Sequence, residues 1–220
     1  MRKFLIAAAV AFFVIPAFAQ DLPVTDVFMA RNSQSFTPNS VQGYRLVEYL
    51  RTYGSWVAWD CGYIDFAETK IYRETFCAVG KTIHDTKRLT WLEELYFTQA
   101  SGPDAHGARY LQPWTYVQVR FAGHFDAEAV YFPYLPLNNA GTFQHVLDRA
   151  KLEYHIGRNW KVGLGYAMSK AANQPRQDKP FVIVTHQTKH FGTVELWAPQ
   201  LIPNGAQVQM RYTFSIKHGS

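Results

Sequence analysis

The chain has 220 residues, with 22 Lys and Arg against 17 Asp and Glu, a formal net charge of +5, and 16% aromatic residues. The charge is mild and no Lys/Arg run stands out, so the composition argues against a nucleic-acid-binding protein. Beyond the N-terminus every apolar stretch is broken by charge or Pro within a few residues, which leaves no candidate transmembrane helix.

Arg2 and Lys3 precede an apolar run from Phe4 to Ile15, followed by Pro16 and Ala17-Phe18-Ala19. This is the basic, apolar and small-x-small order of a signal peptide over residues 1–19, with cleavage near Gln20. The run is shorter than the roughly 20 residues a helix needs to cross a bilayer. With Arg2 and Lys3 removed from the 22 basic residues, 20 remain against 17 acidic ones, about +3. A membrane role for the exported chain must then be carried by strands, because only helices and closed barrels satisfy their backbone in hydrocarbon.

Residues 20–54 read as an N-terminal arm and a short helix. Asp21 to Asn39 is polar and lacks periodicity. Ser40 can cap a helix over Val41–Tyr53, in which Leu46, Val47, Leu50 and Tyr53 share a face and Gly54 ends the element. Residues 55–220 read as one barrel domain. The strand candidates are Trp56–Phe66, Lys70–Val79, Leu89–Gln99, Gln112–Ala122, Asp126–Leu135, His145–Ile156, Trp160–Ser169, Pro180–Thr188, Gly192–Ala198 and Ala206–Ile216. That gives ten, or eight if the first two form a separate N-terminal hairpin.

The last of these alternates almost without fault. Val208, Met210, Tyr212, Phe214 and Ile216 fall on one face and Gln207, Gln209, Arg211, Thr213 and Ser215 on the other, as side chains with period two must. Cys61 and Cys77 are the two cysteines of an exported chain, so a disulfide is the expectation. A hairpin tip centred on Thr69 brings them directly opposite each other, at a separation a disulfide spans.

The connections differ in length. Gly123-His124-Phe125, Gly157-Arg158-Asn159 and Lys189-His190-Phe191 are tight, whereas Ala100–Tyr110, Pro136–Gln144, Lys170–Lys179 and Pro199–Gly205 are longer and rich in turn residues. Centring the tight turns on His124, Arg158 and His190 pairs Arg120 with Glu128, Lys151 with Gly165, Glu153 with Gly163 and Thr185 with Glu195. Polar then meets polar and apolar meets apolar, and register is constrained because a one-residue slip reverses a strand's faces.

This pairing gathers Gln118, Arg120, Glu128, Arg149, Lys151, Glu153, His155, Lys161, Glu195, Gln209 and Arg211 on one surface as an interior polar network. Val117, Val119, Phe121, Leu152, Ile156, Val162, Leu164, Val194 and Leu196 fall on the other. Tyr154, Trp160, Tyr212 and Phe214 lie toward one end, where an aromatic girdle belongs. Glu128, Glu153 and Glu195 could do acid–base work, but basic partners stand near each, and ion pairing is the better reading. No catalytic residue is assigned. The eight histidines show no ligand spacing, so neither a metal nor a cofactor is expected.

Over Ser55 to Ile216 the chain resembles small bacterial outer-membrane β-barrels, on the leader, the alternation, the phase of short and long connections and the aromatic terminal strand. The resemblance implies an all-β, antiparallel up-and-down transmembrane barrel of about 8–10 strands in the outer membrane of a Gram-negative bacterium. Its implied partners are outer-membrane lipid, the barrel-insertion machinery and small polar solutes, and its implied role is structural or limited, porin-like passage. In that class an aromatic at the end of the final strand is the assembly signal; here Lys217-His218-Gly219-Ser220 follow Ile216. Gly54-Ser55-Trp56 resembles the G-x-W element of lipocalins, which implies the alternative of a secreted or periplasmic barrel holding an apolar ligand. A third alternative is an outer-membrane lipid-modifying enzyme.

Overall fold

The computed structural model describes residues 22–37, 40–67, 72–103, 105–188, 192–200 and 207–219; the leader expected over 1–19 lies outside them. Twelve strands follow one another: β1 (Val24–Thr37), β2 (Ser40–Tyr53), β3 (Trp56–Ala67), β4 (Tyr72–Asp85), β5 (Leu89–Ser101), β6 (Arg109–Phe121), β7 (Phe125–Pro136), β8 (Gln144–Ile156), β9 (Trp160–Ala171), β10 (Gln177–Thr188), β11 (Gly192–Gln200) and β12 (Gln207–Gly219). Each pairs antiparallel with its sequence neighbours, and β1 pairs with β12 to close the barrel. Closure leaves no edge strand and no unpaired row of backbone groups.

The count and the N-terminus differ from the sequence reading. The arm and the Val41–Tyr53 helix are two strands, β1 and β2, paired along their whole length from Val24↔Tyr53 to Thr37↔Ser40. No helix occurs among the described residues. Leu46, Val47, Leu50 and Tyr53 carry helical spacing, but β2 sends Leu46 inward, where it is buried, and leaves Tyr49 exposed on the outside. The barrel thus begins at Val24 rather than at residue 55 and is wider than 8–10 strands allow. An eight-strand interior is nearly filled by side chains, whereas twelve strands enclose a lumen.

Two faces run around the whole wall. Large apolar groups such as Leu95, Phe97, Leu152, Ile156, Leu164, Leu196 and Ile216 are exposed outward, while Asp60, Glu94, Asp126, Glu153, Glu195 and Arg211 are buried inward. A soluble protein arranges these groups the other way round. Outward charges gather at the strand ends, as in the Arg51–Asp26 pair (2.7 Å) and the Arg176–Asp178 pair (2.7 Å). Glu93 also faces outward, accepting from Trp91 Nε1 (2.5 Å) and Thr115 Oγ1 (2.8 Å). At the end of the short turns, Phe121 stacks on Phe125, and Tyr154 packs against the latter beside exposed Trp160. This is a girdle that suits a membrane–water boundary.

The registers centred on Arg158 and His190 hold, with Glu153↔Gly163, Lys151↔Gly165 and Thr185↔Glu195. The β6–β7 register is two residues away from the expected one, with Arg120 opposite Asp126 and Gln118 opposite Glu128. The turn is centred on Gly123, not His124, because Ala122 and Gly123 both adopt positive φ (51° and 70°). That left-handed pair suits the twist of a tight hairpin. An even shift keeps every side chain on its face, so the inside–outside assignment survives the error.

Cys61 and Cys77 are direct partners across β3 and β4 and form a disulfide, with Cα atoms 4.1 Å apart. Their ladder neighbours Tyr49 and Phe97 are exposed outward, so the bridge lies on the outer face. Replacing both cysteines (Cys61→Ser with Cys77→Ser) should keep the barrel, since the ladder already fixes the pair. It should cost about 3 kcal/mol, the chain-entropy value for a loop of about 15 residues. Urea unfolding of the refolded barrel checks this; an unfolding midpoint equal to that of the oxidised parent would show that the bridge contributes nothing.

Candidate functional site

The lumen is where the inward strand positions converge. On the β7–β12 wall Lys151 is central. Its Nζ lies 2.7 Å from Glu195 Oε1, 3.0 Å from Glu153 Oε2 and 3.7 Å from Glu128 Oε2. Arg149 Nε pairs with Glu128 Oε1, and Arg149 Nη1 lies 2.5 Å from Asp148 Oδ2. Thr185 Oγ1 donates to Glu153 Oε1 at 2.5 Å. Closer to the short turns, Asp126 Oδ2 accepts from Lys161 Nζ (2.6 Å) and faces His155 Nε2 (2.9 Å).

Gly165 and Gly163 stand opposite Lys151 and Glu153 in the ladder. A Cβ at Gly165 would strike the ring of Phe181. The space this glycine provides is therefore filled by an aromatic from β10 as well as being faced by a lysine.

Several of these contacts join strands that are not neighbours in the wall. Lys151 of β8 reaches Glu195 of β11, Arg211 Nη2 of β12 lies 3.7 Å from Asp148 of β8, and Tyr134 of β7 donates to Glu74 of β4 (3.1 Å). Neighbouring strands are about 4.8 Å apart, so such contacts are chords that cut across the lumen and narrow it.

Asp148 is where period two fails. In both ladders β8 carries an extra residue between Leu147 and Ala150, a β-bulge at Asp148–Arg149. A bulge places two consecutive side chains against one partner residue and bends the strand. Asp148 consequently joins Arg149 among the inward groups, contacting both Arg149 and Arg211.

A second group lies on β2, β3 and β5, and the sequence reading missed it. The carboxyl groups of Glu48 and Glu94 both face that of Asp60. The Tyr96 hydroxyl donates to Asp60 Oδ2 and also reaches Glu94 Oε2 at 3.1 Å. Arg31 of β1 is the cation that acts on Glu48. Aromatic rings extend this wall, with Phe76 edge-on to Tyr96 (5.5 Å) and Trp114 stacked on Tyr116 (6.0 Å). The lumen thus has an acidic, aromatic side and a side of mixed charge.

The residues expected to form the network are placed as follows. Glu128, Arg149, Lys151, Glu153 and Glu195 form one connected set, while His155 and Lys161 share Asp126. Arg211 is buried beside Asp148 and Glu195. Gln118 and Arg120 lie apart from these, with Arg120 Nη2 donating to Gln118 Oε1 (2.6 Å) in an exposed position. Arg120 does not meet Glu128, as the corrected register requires. The side chain of Gln209 lies outside the described residues. Among the described residues, no group of three or more His, Cys, Asp or Glu is placed to hold a metal ion.

A closed antiparallel barrel with an apolar exterior and a charged lumen is the architecture of a porin-like β-barrel. Solved structures of the KdgM porin share the fold: one has a TM-score of 0.55 at 9% identity, covering 86% of this chain and 99% of that one. The same porin in complex with disordered oligogalacturonate has a TM-score of 0.54 at 10% identity, with the same coverage. At these identities the likeness is one of fold. No protein-family model matches the chain, and no curated protein matches it in sequence.

Lys151 is the cation common to three carboxylates, of which Glu153 and Glu195 are buried. Lys151→Met should destabilise the barrel by ~3–5 kcal/mol, the cost of leaving buried charge uncompensated. Adding Glu153→Gln should recover part of that loss, because one of the orphaned charges is removed as well. Equilibrium unfolding in urea tests this, and a single variant as stable as the parent would mean that the set is held by something other than Lys151.

Proposed function

We propose that the chain is an integral outer-membrane channel, exported by the leader over residues 1–19, inserted by the barrel-assembly machinery of a Gram-negative bacterium and surrounded by outer-membrane lipid. Small polar solutes pass through a lumen that charged chords narrow. The observation that carries the reading is the combination of a closed twelve-stranded wall, an exposed apolar exterior and buried inward charge. An apolar exterior is costly in water and at no cost in lipid, whereas inward charge needs a polar interior. A lipocalin-type calyx needs the apolar face inside, which is the opposite arrangement. The KdgM porin, solved with oligogalacturonate, supports passage of polar solutes by a barrel of this fold.

A channel narrowed by chords should conduct weakly and open further when a chord is cut. In planar lipid bilayers the purified barrel should give discrete single-channel steps. Replacing both ends of one chord, Lys151→Ala with Glu195→Ala, should raise the step size; adding Glu153→Gln removes the charge that Lys151 also balanced. A bilayer that stays silent with correctly folded protein would overturn the channel reading, and steps of unchanged size in the double variant would overturn the chord as its constriction.

A further inference from the structure

Within the lumen Arg211 differs from Lys151 and Arg149. Lys151 and Arg149 spend their donors on carboxylates at 3.0 Å or closer, whereas Arg211 only approaches Asp148 (3.7 Å) and Glu195 (3.9 Å). Among the described residues its Nε and Nη1 have no hydrogen-bond acceptor, although the residue is only 2% exposed. The carboxylates it approaches are committed elsewhere, Asp148 to Arg149 and Glu195 to Lys151. Beneath the guanidinium lies the Trp197 ring, at 4.2 Å, itself stacked on Phe181 at 4.2 Å and 10°. Trp197 is 4% exposed and its indole Nε1 also lacks an acceptor among the described residues. Three buried donor atoms without acceptors in one place are expensive, since each forfeits the hydrogen bonds it had in water.

Both residues line a cavity of about 190 Å³, together with Tyr44, Val146, Ala167 and Phe181. The charged groups on its wall are two cations, Arg211 and Lys179, against the single carboxylate of Asp148. The stack fixes the guanidinium plane and removes its freedom to swing toward another partner. The remaining wall is mostly apolar, which disfavours a bare, strongly hydrated ion and favours an acid with an apolar body. A liquid water occupies roughly 30 Å³, so the volume suits a single-ring molecule better than one water or an extended chain.

We infer that the Arg211–Trp197 cavity is a binding site for a small organic carboxylate, whose oxygens accept from Arg211 and Trp197 and whose apolar body lies against Val146 and Ala167. The inference deepens the channel reading and rests on it for meaning, because it names the class of solute the lumen would hold.

Calorimetric titration of the folded, detergent-solubilised barrel tests it with benzoate, benzamide and inorganic phosphate as probes. Benzoate should bind saturably, and benzamide, which lacks the charge, at least about tenfold more weakly, the scale of a charge-assisted hydrogen bond. Phosphate should bind more weakly than benzoate. Trp197→Phe keeps the stacked ring but loses the N–H and should weaken benzoate several-fold; Arg211→Gln should abolish binding. If Arg211→Gln fails to fold, by loss of the heat-dependent gel shift, Trp197→Phe carries the test alone. Equal binding of benzoate and benzamide, phosphate as tight as benzoate, or Trp197→Phe indistinguishable from the parent would overturn the assignment. Calorimetry needs no open channel. Benzoate binding by a non-conducting barrel would keep the site and discard the channel, while conduction without benzoate binding would do the reverse.

Discussion

In hydrocarbon a peptide N–H or C=O has no water to turn to, so a sheet that meets lipid must pair its last strand with its first. Here that pairing is β1 with β12, and the rest of the structure depends on it. Once the wall is closed, the strands turn large apolar groups outward and charged groups into a confined interior. Polar side chains then depend on each other, on lumen water or on a passing solute to satisfy them. Arg31, Ser33 and Arg211 show the link directly: the seam sets Arg31 opposite Thr213 and Ser33 opposite Arg211. The β11–β12 ladder then sets Arg211 beside Glu195.

From this constraint follows the character of the lumen. Twelve strands enclose more space than inward side chains can fill by packing alone. Long charged chains reach across it, as Lys151 does to Glu195, and bring strands three or four places apart into contact. Buried ion pairs of this kind seldom add net stability over apolar packing, because desolvation offsets the attraction. Their presence is better explained by a lumen that must stay polar. The two sides of that lumen differ, one acidic and aromatic around Asp60 and Tyr96, the other mixed around Lys151. The mixed side also holds Arg211, two of whose donor atoms have no acceptor among the described residues.

The C-terminal half was legible in the sequence because its strands alternate cleanly and its turns are short. Glu153 opposite Gly163 and Thr185 opposite Glu195 follow from parity and turn centres alone. The N-terminal pair was not, because β2 has apolar residues on both faces. Leu46 points inward and Val47 outward, and two adjacent apolar residues read equally well as a helical stripe. With β2 misread, Glu48 could not be placed beside Asp60 and Glu94, so the acidic group stayed hidden. Glu94, Tyr96 and Thr98 alternate inward along β5, and that was the available signal. The bulge at Asp148 and the turn centred on Gly123 are backbone events that period-two counting does not register. They changed which residues meet, though the turn shift left the faces intact.

The central claim is that apolar strand positions face lipid and polar ones face the lumen. A nitroxide scan along β8, reading collisions with oxygen, which partitions into lipid, and with a water-soluble nickel chelate, tests it most directly. Labels at Leu152, Tyr154 and Ile156 should be accessible to oxygen, and labels at Lys151, Glu153 and His155 should not, giving a period of two across the strand. The reverse phase, with the leucine and isoleucine positions sheltered and the lysine and glutamate positions open to the nickel chelate from outside, would contradict the account and describe a soluble calyx instead.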